Sequence, residues 1–139
     1  MNDNAKKWVA ALESGEYKQA IGMLRSAADP DSFCCLGVAC HVVDPERWTE
    51  GAAGGFRFMT DPASGDGAEI GMTDDVAEFM GVKSHFGHFD FHSLPGELQT
   101  RIFRATGEEA NALTKINDRG GDFALIAEVL KAEPDGMFE

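Results

Sequence analysis

Apolar residues recur at helical spacing near the start of the chain. Trp8, Val9 and Leu12 lie on one side of residues 4–13, Lys6, Lys7 and Glu13 lie elsewhere, and Ser14-Gly15 ends the run. Tyr17, Ile21 and Leu24, with Ala20 and Met23 beside them, repeat the pattern and predict a second short helix before Asp29-Pro30, with Gly22 as its weak point. Residues 33–43 are apolar on nearly every side, follow a potential cap in Ser32 and stop at Asp44-Pro45. They read as a central buried helix, since a run of about 11 residues is long for the alternative, a buried strand.

A different period takes over in the middle. Phe56 and Phe58 alternate with Arg57 and Met59, Ala68, Ile70 and Met72 alternate again, and residues 61–67 between them are turn formers, which predicts a β-hairpin with a loose loop. Thr73 is placed to cap a helix with Asp74 and Asp75 in its first turn, Val76, Phe79 and Met80 inward, and Gly81 at its end. Beyond Ser93 the helical period returns. Leu98, Ile102 and Phe103 share a face, Thr106 and Glu109 have the spacing of a capping box for residues 110–117, and Asp122 caps a last helix with Phe123, Ile126, Val129 and Leu130 inward, stopped by Pro134.

The expected fold class is α+β: a mostly helical single domain, residues 1–139, of about five to six short helices with a small β-hairpin in the middle. Trp8, Leu12, Phe33, Leu36, Val43, Phe123, Ile126 and Leu130 are its expected shared core. Composition agrees with a globular chain, at 43% hydrophobic and 26% charged residues. Charge changes the picture more. With 24 acidic and 12 basic residues the net charge is −12, and the only adjacent basic pair is Lys6-Lys7, so direct nucleic-acid binding is not expected. No apolar run is long enough to span a bilayer. Residues 1–28 carry Lys6, Lys7, Lys18 and Arg25 against Asp3, Glu13 and Glu16, a net +1, so the remainder carries −13. That asymmetry is a solvated surface or an acidic face for a basic partner. The start of the chain shows no secretory signal pattern and three cysteines lie within seven residues, so a cytoplasmic protein with reduced thiols is expected.

Three constellations hold reactive side chains. Cys34, Cys35 and Cys40 lack the paired spacing of a zinc knuckle and have no close basic neighbour to activate a thiolate, which favours core packing. Residues 84–92 concentrate three of the four histidines; as a strand they would align His88, Asp90 and His92, and as a helix His85, His88 and His92, either a ligand set suited to zinc or iron, although alternating aromatic and polar residues also describe any half-buried edge. Residues 112–131 outline a helix-turn-helix, but the second helix offers only Lys131 to a phosphate. No phosphate loop, dinucleotide fingerprint or nucleophile elbow is present, and no cofactor is expected.

Three pieces carry a resemblance. Lys7-Trp8-Val9 through Leu12, Ser14-Gly15 and Tyr17-x-Gln19 to Gly22-x-Leu24 come first; Phe33-Cys34-Cys35-Leu36-Gly37-Val38 with Cys40 follows; Asn117-Asp118-x-Gly120 with Phe123-x-x-Ile126-Ala127 is last. In content and order they resemble a family of small proteins encoded by tailed bacteriophages and prophages. The resemblance implies a setting, the cytoplasm of a bacterial host, and not a reaction. In that setting the expected function is a non-enzymatic accessory protein that binds a host macromolecule or sequesters a small signalling ligand; the alternative is a small metal- or thiol-dependent enzyme. The candidate ligand-binding residues are the polar groups of the matching motifs, Tyr17, Gln19, Asn117 and Asp118, with neighbouring Arg119. A nucleic-acid mimic would instead use Glu50, Asp61, Asp66, Glu69, Asp74 and Asp75. The expected partner is a host protein or a small molecule, with neither nucleic acid nor membrane bound directly, and the subunit count is left open.

Overall fold

The side-chain oxygen of Asn2 accepts the backbone N–H of Ala5 at 2.8 Å, and this cap starts α1 (Asp3–Glu13), which buries Trp8, Val9 and Leu12 as their spacing requires. The computed structural model describes residues 1–52, 54–61 and 65–139, with Asp61 by its backbone alone. After α1 the chain departs from the expected second helix. Lys18–Gln19 is a short strand, β1, paired in parallel with β2 (Ser32–Phe33), and Gly22 sits at φ +78°, a conformation no right-handed helix contains. Leu24 is buried, but Ile21 is 61% exposed, so the helical spacing of Tyr17, Ile21 and Leu24 does not mark one face.

The central buried helix, α2 (Cys35–Val43), begins two residues later than expected because Ser32 and Phe33 are taken by β2. Its cap is Cys34, whose sulfur accepts the N–H of Gly37 at 3.4 Å. The buried Trp8 indole donates to the Cys35 carbonyl at 2.9 Å, tying α1 to the first turn of α2. Gly37 is required by packing, since a Cβ there would lie 1.8 Å from the Leu24 carbonyl oxygen.

The expected hairpin is present and gains a third strand, but its second arm falls earlier than the alternation of Ala68, Ile70 and Met72 predicts and ends at Ala68. β3 (Trp48–Glu50), β4 (Phe56–Asp61) and β5 (Asp66–Ala68) form an antiparallel sheet in that order, with Trp48 opposite Phe58 and Phe58 opposite Ala68. Residues 62–64 of the expected loop lie outside the described residues. α3 (Asp74–Met80) ends in Gly81 at φ +72°, as the sequence predicts, but Ala77 rather than Phe79 joins Val76 and Met80 inside, and Phe79 is 38% exposed. The Thr73 hydroxyl donates to Asp75 at 2.6 Å and makes no side-chain cap to the helix backbone.

A 3-10 turn at Phe91–Ser93 leads into α4 (Gly96–Thr106), which buries Leu98 and Ile102 but leaves Phe103 54% exposed. The capping box does not form. Thr106 is the last residue of α4, where its hydroxyl donates to the Ile102 carbonyl at 2.8 Å, and α5 (Leu113–Asp118) starts only after Ala112. α6 (Phe123–Lys131) is capped by Asp122, which accepts the Leu125 N–H at 2.9 Å. One hydrophobic cluster runs from Trp8 to Met137 and contains the expected core, with Val43 and Phe123 packed at its edge. α1 lies against α2, α3 and α6 around it. The fold is therefore α+β, with six α-helices and two small sheets among the described residues. Among those residues no helix is long and apolar enough to cross a membrane.

Candidate functional site

The three motif segments converge on Asn117, at the end of α5 and only 1% exposed. Its Oδ1 accepts from Gln19 Nε2 at 2.9 Å and from the Cys35 backbone N–H at 3.0 Å. Its Nδ2 donates to the Ala20 carbonyl at 2.9 Å and to Asp118 Oδ1 at 3.0 Å. Both acceptor positions and both amide protons are satisfied, as a buried amide requires. Asp118 Oδ1 also accepts the Gly22 N–H at 3.1 Å, and Gln19 Nε2 reaches the Gly121 carbonyl at 2.7 Å. The Gly120-Gly121 pair permits this approach: Gly120 has φ +117°, and a Cβ on Gly121 would lie 2.2 Å from Ile116.

Of the five candidate ligand-binding residues, the structure brings Gln19, Asn117 and Asp118 together and leaves two apart. Tyr17 packs edge-on against Phe33 and His41, at 5.4 and 5.8 Å between ring centres, in an aromatic group that continues through Trp48 to Phe58. Burial, and then the charge of Glu16, raises the Tyr17 pKa. The Arg25 guanidinium lies over Phe33, Trp48 and Phe56, at 5.0, 5.5 and 4.8 Å. Arg119 turns to an ion pair with Glu108.

The junction organises a surface above it. Gln19, Ile21, Asn117 and Gly120–Asp122 line a hollow of about 190 Å³. On the other side of Gly22, a second hollow of about 210 Å³ is lined by Met23, Ala52, Gly55, Glu69 and Ile70. Ile21 and Ile70, 61% and 59% exposed, project from this region.

The remaining constellations are placed otherwise. Cys34, Cys35 and Cys40 are free and buried; burial pushes Cys34 up to about 12 and the other two thiols well above their ordinary value. His88, Asp90 and His92 are exposed and Phe89 and Phe91 buried, so the alternation is real, but the expected strand is not formed: only an isolated bridge at His88 precedes the 3-10 turn that holds Phe91 and His92. They do not assemble as ligands. His88 Nδ1 lies 3.2 Å from the Ser84 hydroxyl, Asp90 accepts the His92 N–H at 3.0 Å to cap the 3-10 turn, and His92 Nε2 lies 3.4 Å from Glu109. Among the described residues no group of three or more His, Cys, Asp or Glu side chains is placed to hold a metal ion.

The carboxylates of the middle segment are no free row either. Glu69 pairs with Arg57 at 3.5 Å, Asp75 with Arg47 at 2.8 Å and Asp74 with His85, while the Asp61 side chain lies outside the described residues. Burial opposes ionisation of Asp75, but hydrogen bonds from Arg47 and Thr73 outweigh it and hold its pKa below the usual value. Lys131, the one cation of the second helix in the helix-turn-helix outline, is paired with Glu13 and Glu128, both at 2.8 Å.

Over residues 1–134 the chain matches the family described as Domain of unknown function (DUF8296). It belongs to this family. No curated protein and no solved structure matches it. The span that defines family membership takes in the whole Asn117 junction and the surface above it. Sequence reasoning missed Ile21 as a surface residue because its spacing from Tyr17 and Leu24 mimics a helix face; the glycine beside it was the available signal.

Proposed function

We propose that the chain is a non-enzymatic binding domain, an accessory protein of the phage or prophage kind that its motifs resemble, and that it engages a host protein in the bacterial cytoplasm. The carrying observation is Ile21, a large aliphatic side chain held in solvent between two clamped neighbours. Ala20 donates to the Phe33 carbonyl at 2.8 Å and accepts from Asn117, and Gly22 donates to Asp118. A loop fixed on both sides of an exposed apolar residue loses little freedom on docking, which is the physical advantage of a preorganised contact. Covering Ile21 and Ile70 would supply about 1.5–3 kcal/mol each. Asp118 and Asp122 beside Ile21, and Glu69 beside Ile70, favour a partner with cations around an apolar centre.

A photo-crosslinking residue placed at position 21, with one at exposed Lys7 as control, tests this in bacterial cells. A discrete adduct at position 21, missing at position 7 and lost in the Ile70→Asp background, is the expected result. Adducts indistinguishable between the two positions, or none at position 21, would sink the reading. Purified Ile21→Asp should keep the stability of the parent within about 0.5 kcal/mol, because the side chain packs against little.

A further inference from the structure

The outer side of α4 carries two hollows that share one residue. The first, about 380 Å³, is lined by Phe91, Gln99, Thr100, Phe103, Arg104 and Glu109. The second, about 340 Å³, lies between α4 and the start of α6 and is lined by Arg101, Arg104 and Gly120 among others. Each is within the lower range of small-molecule sites, roughly 300–1,000 Å³.

The chain has net charge −12, and among the described residues six of its twelve lysines and arginines form an ion pair with a carboxylate. Arg119 pairs with Glu108, Arg47 with Asp75, Arg57 with Glu69, and Lys131 with two glutamates. Among the arginines, Arg101 and Arg104 differ from these three and from Arg25, which donates to the Pro30 carbonyl at 2.7 Å. Neither makes an ion pair or a hydrogen bond with a described residue, and Arg101 meets Glu128 only as a longer-range charge. The two acids at the rims are engaged, Glu109 with His92 at 3.4 Å and Asp122 with the α6 backbone at 2.9 Å. Phe103, although its apolar spacing predicts it inward, adds an exposed aromatic face to the lining of the first hollow.

Two unpaired guanidinium groups beside an open aromatic ring are the elements that recognise a planar ring bearing an anion. Arginine binds phosphate oxygens through paired N–H donors, and an aromatic face accepts a stacked ring. We propose that the α4 surface binds a small phosphate monoester that also carries an aromatic ring, such as a nucleoside monophosphate. The ring lies on Phe103 in the first hollow, and the phosphate lies between Arg104 and Arg101 at the second. The second hollow borders the Ile21 surface through Gly120 and Asp122, but different side chains carry the two assignments, so either can fail alone.

Titration of the 15N-labelled protein with adenosine monophosphate, adenosine and inorganic phosphate tests the assignment. The monophosphate should shift the amides of residues 91 and 99–104 and bind more tightly than either half alone. Arg104→Gln should weaken it about tenfold, and more weakly at high salt than at low. Phe103→Ser should weaken both the monophosphate and adenosine while leaving phosphate unchanged. Arg104→Lys, which keeps the charge and loses the paired donors, should fall between Arg104→Gln and the parent. No shifts at millimolar monophosphate, shifts centred elsewhere, or an affinity unchanged by both Arg104→Gln and Arg101→Gln would overturn the proposal. The parent protein supplies the first two outcomes even if a variant does not fold.

Discussion

The side chain of Asn117 accepts the backbone N–H of Cys35 at 3.0 Å, across 82 positions of sequence. That N–H opens the first turn of α2, where no carbonyl of its own helix is available to it. One amide thus closes the end of the central helix and, through its other atoms, holds Gln19, Ala20 and Asp118 in place.

Asn117→Leu should therefore be severe for a single surface-sparing change. It removes the partners of a buried N–H and a buried carbonyl, each costing about 1–3 kcal/mol when orphaned. Urea denaturation should show a loss of about 3 kcal/mol or more, and Gln19→Ala a smaller loss near 1 kcal/mol. Equal, small losses for both would contradict the junction as described.

Gly37→Ala is expected to be worse still, because the added methyl would meet the Leu24 backbone oxygen at 1.8 Å, and backbone cannot rotate away. The helix itself would favour alanine by about 1 kcal/mol. A stabilised Gly37→Ala protein would mean that the contact between α2 and residue 24 is absent in solution; poor accumulation or a loss above about 3 kcal/mol is the predicted result.

Native thiol labelling at neutral pH should be slow at all three cysteines. Cys34 is pushed up to about 12 by burial, and Cys35 and Cys40 are raised for the same reason, so the reactive thiolate is scarce and inaccessible. The labelling rate should rise with urea in parallel with unfolding measured by Trp fluorescence. Rapid labelling of the native protein would revive a thiol-based activity.

Mild acid should destabilise the protein through His41. Its Nδ1 accepts the Trp48 indole N–H at 3.1 Å, and burial, with the Arg25 charge second, holds its pKa below 6.5. The unfolded chain then takes up the proton more readily, so the stability is present above 6.5 and is lost as pH falls below it toward the folded pKa. Melting temperature should decline as pH falls below 6.5, and His41→Gln should flatten that decline. An unaltered slope in the variant would assign the effect to other groups.

What the sequence determined by itself is the chemistry that acts within a turn or two. Asp122 caps a helix, Gly81 ends one, and the spacing of Trp8, Val9 and Leu12 or of Ile126, Val129 and Leu130 selects a buried face, because each effect depends only on neighbours along the chain. The period-two run at Phe56–Phe58 marked the hairpin on the same ground. Tertiary structure decided the rest. Residues 17–24 satisfy a helical pattern, yet β1 pairs with β2 and Ala20 and Gly22 are held by Asn117 and Asp118, partners more than 90 positions away that local propensity does not see. Phe103 obeys its helix's apolar spacing and is still exposed, since which rim of a face is covered depends on where the neighbouring helix lies. The candidate residues Gln19, Asn117 and Asp118 were legible as polar groups in distinctive segments, but only packing showed that their atoms are engaged with backbone and that the side chains left open are Ile21, Arg101 and Arg104.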